Sequence, residues 1–158
     1  MQNSHVLLVS ATLTTALVAG LFFGFVVAVN PAFAKLPDLQ YISAMQSINR
    51  AIVNVVFAIA FFGAALFIPL AAWQEQRTIL WVAAVIYLVG GIGVTYAVNV
   101  PLNNVLDTFP VATASADEAA GARIAFVRPW NLWHLVRTIA VVISALLLII
   151  GCTRRGDL

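Results

Sequence analysis

Four long stretches of the chain carry almost no charged side chains, and this pattern dominates what the chain can fold into. They cover residues 5–29, 40–72, 79–100 and 130–151. A helix of about 20 apolar residues crosses a bilayer, so each stretch is long enough to span one. The chain is 63% hydrophobic and 9% charged, with a mean hydropathy of +1.01, which is typical of membrane proteins. We therefore predict an all-α integral membrane four-helix bundle, formed by residues 1–158 as a single four-span transmembrane domain.

Charge and cysteine content exclude two classes of function. The formal net charge is +2, and no basic cluster is larger than Arg154-Arg155, so we expect no nucleic-acid partner. Cys152 is the single cysteine, which excludes an internal disulfide and a redox dithiol within one chain. We interpret Cys152 as a small apolar packing residue.

The first stretch has two readings, a retained span and a cleaved signal peptide. The segment 32–34 resembles a cleavage site, but no Lys or Arg precedes the apolar run. The run is also longer than the apolar core of a signal peptide, which has about 7–15 residues. We predict a retained span that ends at Asn30-Pro31, because proline disfavours helical geometry in the residue before it. Gly20 and Gly24 have a spacing that permits close helix approach and homo-oligomerisation.

The second stretch begins with polar residues and continues into lipid as one long predicted helix. Gln46, Arg50 and Asn54 follow one another at four-residue spacing, so they share one face, with Asn49 on its flank. A polar stripe that enters the bilayer must face protein or water. A kink or a fraying end is expected at Pro69.

The third stretch ends in a polar segment that Pro101 is predicted to break. Tyr96, Asn99 and Asn103 recur there at helical spacing. Earlier in the same stretch, the glycines at positions 90, 91 and 93 are expected to allow close helix packing.

The longest predicted connection runs over residues 106–125. Its composition suits a solvated loop, and a short helix over residues 116–126 is one option. Ser115 followed by Glu118 is compatible with a capping box at the start of such a helix.

The last stretch opens with an unusually polar and aromatic segment, residues 128–137. Trp133 is predicted to point away from the polar face of the helix. We interpret Trp133 and Arg128 as anchors at the membrane–water interface. The remaining candidates lie on or beside one helical face: Trp130, Asn131, His134 and Arg137.

Because spans alternate in direction, the polar parts of the last three stretches meet at one membrane face. We predict that they line one pocket, which Asn30 could join. The predicted lining is Gln46, Asn49, Arg50, Asn54, Tyr96, Asn99, Asn103, Trp130, Asn131, His134 and Arg137.

The residue types in this pocket suit an anionic ligand. No Asp or Glu lies in the apolar stretches to neutralise Arg50 and Arg137, and guanidinium groups bind anionic or enolate-like oxygens well. His134 is the candidate general base or proton shuttle, because its ordinary pKa is near neutrality. Amides and arginines dominate, so no metal site is predicted.

Four segments of the chain together resemble the anthrone oxygenase-like family of small four-span membrane proteins: residues 30–31, 45–50 with Asn54, 99–103 and 130–137. Fungal members are linked to oxidation of an anthrone to an anthraquinone. The resemblance implies oxygen-dependent oxidation of an apolar phenolic substrate. Arg50 and Arg137 match motif positions of the family, whereas His134 stands where the family is expected to carry Asn more often.

Our first hypothesis is a membrane-embedded oxidoreductase that acts on a lipophilic phenolic or quinone-like molecule. In it Arg50 and Arg137 bind the developing oxyanion, His134 moves the proton, and Trp130 and Tyr96 stack on the substrate ring. The alternative is a non-enzymatic membrane subunit that holds a lipid, a quinone or a partner helix. The cofactor is unknown: there is none in the simplest scheme, and haem and flavin stay open.

The expected surroundings are membrane lipids, and the expected ligand is a lipophilic small molecule. The distribution of Arg77, Arg154 and Arg155 against Lys35 and Arg123 favours cytoplasmic termini by the positive-inside rule. We expect the cytoplasmic membrane of a bacterium.

Overall fold

The computed structural model describes the backbone of residues 2–153 and the side chains of residues 5–153. Five helices account for most of this range. Helix α1 comprises Gln2–Gly24, a π-helical segment Phe25–Val29 and a last turn Asn30–Phe33. Helices α2 and α3 are Asp38–Ala51 and Val55–Glu75. Helix α4 comprises Thr78–Ile86, two π-helical segments Tyr87–Gly93 and Thr95–Asn99, and Val100–Asp107, and helix α5 is Ala116–Thr153.

Helices α1, α3, α4 and α5 form a bundle, which confirms the predicted all-α class. Each packs against two neighbours in the circular order α1, α3, α4, α5. All four are long and apolar enough to cross a membrane, as in a membrane helix bundle. The Thr12 hydroxyl lies 3.5 Å from the Cys152 sulfur, so the first half of α1 and the end of α5 share one end of the bundle. Arg154 and Arg155, which enter the orientation prediction, lie outside the described residues.

Small residues bring α4 and α5 close together at Gly90 and Gly91, as predicted, whereas a Cβ atom at Gly93 would meet only the backbone of its own helix. A Cβ atom added at Gly90 would lie 2.4 Å from the Cβ of Ala140, and one at Gly91 would lie 3.1 Å from Val141. Nearby, the buried hydroxyl of Ser144 donates to a backbone carbonyl of α4 at 2.9 Å. Close approach of this kind favours helix association in lipid.

The second apolar stretch forms two helices, so the prediction of one long helix is wrong. The chain breaks at residues 52–54, where Asn54 has extended backbone angles (φ −136°, ψ 164°). Its Oδ1 accepts from the N–H of Phe57 at 3.0 Å, and its Nδ2 donates to the carbonyl of Ala51 at 2.8 Å. Asparagine competes with helix continuation in this way and begins a new helix.

Prolines lie inside helices in this structure, and the predicted stops at Pro31 and Pro101 are wrong. In each case a π-helical segment precedes the proline. Asn30 donates to the carbonyl of Phe25, and Val100 donates to that of Thr95, both five residues back. A π-bulge accommodates the missing N–H and the bulk of the ring without ending the helix.

Helix α5 is much longer than predicted. Ser115 and Glu118 form the expected capping box, in which the carboxylate accepts from the Ser115 N–H at 2.7 Å and the Ser115 hydroxyl accepts from the Glu118 N–H. The predicted start at Ala116 is confirmed. The predicted stop at position 126 is wrong, because the helix continues through Pro129 to Thr153.

Arg123 ties the start of α5 to the corner between α1 and α2. Its Nη1 donates to Asp38 at 2.7 Å and to the carbonyl of Leu36, and its Nη2 donates to the carbonyl of Ala34 at 3.0 Å. The guanidinium also lies 4.6 Å from the ring centroid of Tyr41. Burial raises the pKa of Tyr41 to about 12 against the opposing charge of Arg123, so the phenol stays neutral. These contacts fix α2 across one end of the bundle.

Candidate functional site

A cavity of about 730 Å³ lies at the end of the bundle near the junction of α2 and α3. Residues of α1, α2, α3, α4 and α5 line it, together with the residues of the α2–α3 junction. Most of the predicted polar residues are in its wall: Asn49, Arg50, Asn54, Tyr96, Asn103, Trp130, His134 and Arg137. The structure therefore brings this set of polar residues from separate helices together around one cavity.

Aromatic side chains complete the wall, and the sequence did not single out those from α1. Phe22 and Phe25 project from α1, and Phe57 and Phe61 project from α3. The rings of Phe57 and Phe61 stack with centroids 5.2 Å apart. An apolar residue inside an apolar stretch carries no sequence signal that marks it as cavity-lining, so Phe22 and Phe25 could be found only from the fold.

Arg137 is the most unusual residue in the wall, because its side chain is buried and charged. It is 8% exposed, and its guanidinium carbon lies 4.4 Å from the ring centroid of Phe22. Nε and Nη2 donate to Nδ1 of His134 at 3.0 and 2.9 Å, and Nη1 donates to the hydroxyl of Thr95 at 3.1 Å. An arginine has five N–H groups, so two stay available to a ligand. Within the described part of the chain, no carboxylate lies within ion-pair distance of Arg137.

His134 has both ring nitrogens engaged. Nε2 lies 3.1 Å from the carbonyl oxygen of Phe22, which can only accept, so Nε2 carries the proton. Nδ1 is then the unprotonated nitrogen and accepts from Arg137. The ring is 1% exposed. The predicted role of His134 as general base finds no support in this geometry, since neither nitrogen is free to take a substrate proton.

Trp130 is held as a fixed part of the wall. It stacks on His134 with centroids 4.7 Å apart and on Phe126 with centroids 5.8 Å apart. Its Nε1 donates to Oδ1 of Asn103 at 2.7 Å. Since neighbouring rings lie along its faces, Trp130 has little ring face left for the predicted stacking on a substrate. Tyr96, which is 52% exposed, has no such neighbour among the ring contacts of the described residues.

Arg50 has a carboxylate partner, contrary to the prediction from the sequence. Its Nη1 lies 2.7 Å from Oδ1 of Asp107, and the two side chains are 61% and 44% exposed. Both residues line the cavity. The prediction failed because α4 continues past Pro101 and brings Asp107 beside the end of α2. The spacing of Asn99, Asn103 and Asp107 could have revealed this, because it extends the same helical stripe.

Three predicted lining residues are absent from the cavity wall. The side-chain amide of Gln46 donates to the carbonyls of Leu106 and Phe109 at 2.9 and 3.0 Å, so it ties α2 to the end of α4. Asn99 is fully buried behind the wall and donates to the carbonyl of Trp130 at 3.3 Å. Asn131 is also outside the wall.

Of Asn30, Asn49, Arg128 and Trp133, only Asn49 lies in the cavity wall. Asn30 does not join the wall. Trp133 and Arg128 are exposed and lie outside it, as expected of interface anchors. Asn49 is in the wall, and its Nδ2 is buried with no hydrogen-bond partner among the described residues, so it offers a donor to a ligand. Over residues 5–153, no group of three or more His, Cys, Asp or Glu side chains is placed to hold a metal ion.

Comparison with known proteins gives one match. The family model described as anthrone oxygenase matches residues 44–147. This range contains the cavity residues of α2, α3, α4 and α5 but not those of α1. Comparisons with curated proteins and with solved structures found no match.

Proposed function

Because the chain belongs to the anthrone oxygenase family, we propose that it is a membrane-embedded oxidoreductase that acts on a lipophilic phenolic or quinone-like molecule. Dioxygen is the proposed oxidant. A ring methylene becomes a carbonyl: one oxygen atom of O₂ enters the product, and the other leaves as water with the two methylene hydrogens. The four membrane-length helices suit a substrate that reaches the protein from lipid.

The buried guanidinium of Arg137 carries this proposal. Loss of a proton from an activated methylene gives an enolate, whose negative charge lies largely on oxygen. The two N–H groups that Arg137 leaves free can bind that oxygen, and burial strengthens such charge-assisted bonds. Since no carboxylate of the described chain pairs with Arg137, its charge is available for the anion. Donors that are held in place before the reaction stabilise the developing charge most effectively.

The other wall residues have supporting roles in this proposal. His134 and Thr95 aim the guanidinium through the hydrogen bonds that they accept. Asn49 offers a second donor from its unpartnered Nδ2. Tyr96 and the phenylalanines of α1 and α3 supply the apolar walls for an aromatic ring.

The proposal also includes the location, the topology and the oligomeric state of the protein. The protein lies among membrane lipids, in the cytoplasmic membrane of a bacterium, with cytoplasmic termini. Homo-oligomerisation through Gly20 and Gly24 stays a prediction. A Cβ atom at either position would meet nothing within 4 Å, so these glycines leave room for a neighbouring helix.

Oxygen consumption by the purified protein tests the proposal. The protein is reconstituted in lipid nanodiscs and supplied with anthrone in air, with protein-free nanodiscs as the blank for spontaneous oxidation. We expect oxygen uptake above the blank, with one anthraquinone formed for each O₂ consumed. A rate equal to the blank contradicts the proposal. A tightly bound phospholipid or quinone without turnover, detected by mass spectrometry, would support the alternative of a binding subunit.

A further inference from the structure

We propose that Asp107 is the general base of this cavity and takes the proton that the substrate loses. This inference rests on the proposed function. It assigns the proton transfer to a residue of α4 that sequence reasoning placed in a loop. The cavity itself, and the ion pair of Asp107 with Arg50, lead to this assignment.

The titratable groups of the cavity wall leave one suitable proton acceptor. Within the described chain, α2 contributes Arg50, α4 contributes Tyr96 and Asp107, and α5 contributes His134 and Arg137, while α1 and α3 contribute none. Arginines only donate, and a neutral phenol is a poor base. Both nitrogens of His134 are engaged. Asp107 is therefore the wall residue that combines negative charge with free lone pairs.

The position of Asp107 suits proton transfer. Nη1 of Arg50 donates to its Oδ1 at 2.7 Å, and both residues line the cavity. A carboxylate accepts about four hydrogen bonds, so Oδ2 stays open to a substrate. The side chain is 44% exposed, which gives the captured proton a route to water. Arg50 is then a positioning residue for the base.

The step itself is a simple proton transfer. The C–H bond of the methylene breaks, its electron pair moves into the enolate, and the proton forms an O–H bond with Asp107. Asp107 then releases the proton to water, and dioxygen oxidises the enolate as described above.

Hydrogen exchange without oxygen tests this step separately from the oxidation. Anthrone is incubated anaerobically with the reconstituted protein in D₂O, and deuterium at its methylene carbon is followed by mass spectrometry. We expect Asp107→Asn to lower the exchange rate above the blank by about 100-fold or more, in the range typical of general base catalysis. Asp117→Asn, which removes the same charge from an exposed site outside the cavity, should exchange as the wild type does. Exchange at the wild-type rate in Asp107→Asn overturns the assignment.

Arg50→Gln distinguishes a base from a merely structural carboxylate. It breaks the same ion pair but keeps the carboxylate, so exchange should continue. Asp107→Asn removes the carboxylate itself, so exchange should be lost. Equal losses in the two variants would show that only the ion pair matters, which overturns the proposal.

The oxidation assay separates the two proposals. Wild-type exchange without oxidation in air refutes the oxidase function alone. Oxidation that survives unchanged in Asp107→Asn refutes the role of Asp107 alone. Absence of both reactions in the wild type removes both.

Discussion

Arg137 donates two hydrogen bonds to a single nitrogen of His134, from Nε at 3.0 Å and from Nη2 at 2.9 Å. The other nitrogen of His134 is tied to the carbonyl of Phe22 at 3.1 Å. The imidazole therefore links α1 to the guanidinium. We infer that His134 orients Arg137.

Substitution of His134 tests this positioning role. An Asn side chain can place its Oδ1 close to the position of Nδ1, whereas Leu has a similar volume to His but no acceptor. We expect His134→Asn to retain most of the turnover and His134→Leu to lose about 10- to 100-fold, the effect of a lost hydrogen bond to a charged group. Anthrone oxidation measured over a range of pH provides the comparison. Equal loss in both variants, with one limb of the pH profile gone from His134→Asn, would identify His134 as the proton-transfer group instead.

The Arg50–Asp107 and Arg123–Asp38 ion pairs should differ in their contribution to stability. Arg50 and Asp107 are both exposed, and an exposed pair contributes at most about 1 kcal/mol. The side chain of Arg123 is 17% exposed and also binds backbone carbonyls, so its loss should cost about 2 kcal/mol or more. Thermal unfolding in detergent should show a clearly larger drop in Tm for Arg123→Gln than for Arg50→Gln. Equal shifts in Tm would show that the contacts of Arg123 at the corner between α1 and α2 do not stabilise the fold.

Gly90 is predicted to be a packing requirement. In Gly90→Ala the new methyl group would overlap Ala140, so α4 and α5 must separate, at a cost of about 1–3 kcal/mol. Gly121→Ala is the matched control, because its methyl group meets nothing within 4 Å. Unfolding of the two variants in detergent checks the difference. Equal stability would mean that α4 and α5 are not in close contact at Gly90.

The fold class could be predicted from the sequence because hydropathy is a strong signal for membrane helices. The meeting of polar faces from separate helices could be predicted for the same reason. Most helix boundaries were not. Pro31 and Pro101 would ordinarily be expected to end a helix. Here a π-helical segment precedes each proline and lets the helix continue. Asn54 shows the opposite error: its side chain caps α3 and breaks a continuous apolar pattern.

The residues of the candidate site were likewise predictable only in part. The polar residues of the wall stood out against apolar neighbours, so Arg137 and His134 were found. Asp107 was missed because the predicted helix ended too early. Phe22 was missed because nothing in an apolar stretch shows which residue turns inward. The sequence also could not show that both ring nitrogens of His134 are engaged in internal hydrogen bonds.

Turnover by Arg137→Gln is the most direct test of the central claim, that a buried guanidinium with no carboxylate partner among the described residues stabilises an oxyanion in the cavity. Arg128→Gln is the matched control, since Arg128 is on the same helix but exposed and outside the cavity wall. Both variants are reconstituted and compared with the wild type by anthrone-dependent oxygen consumption. We expect Arg137→Gln to lose about 100-fold or more in kcat, as for removal of an oxyanion donor, and Arg128→Gln to keep the wild-type rate. Wild-type turnover by a folded Arg137→Gln variant would contradict the claim.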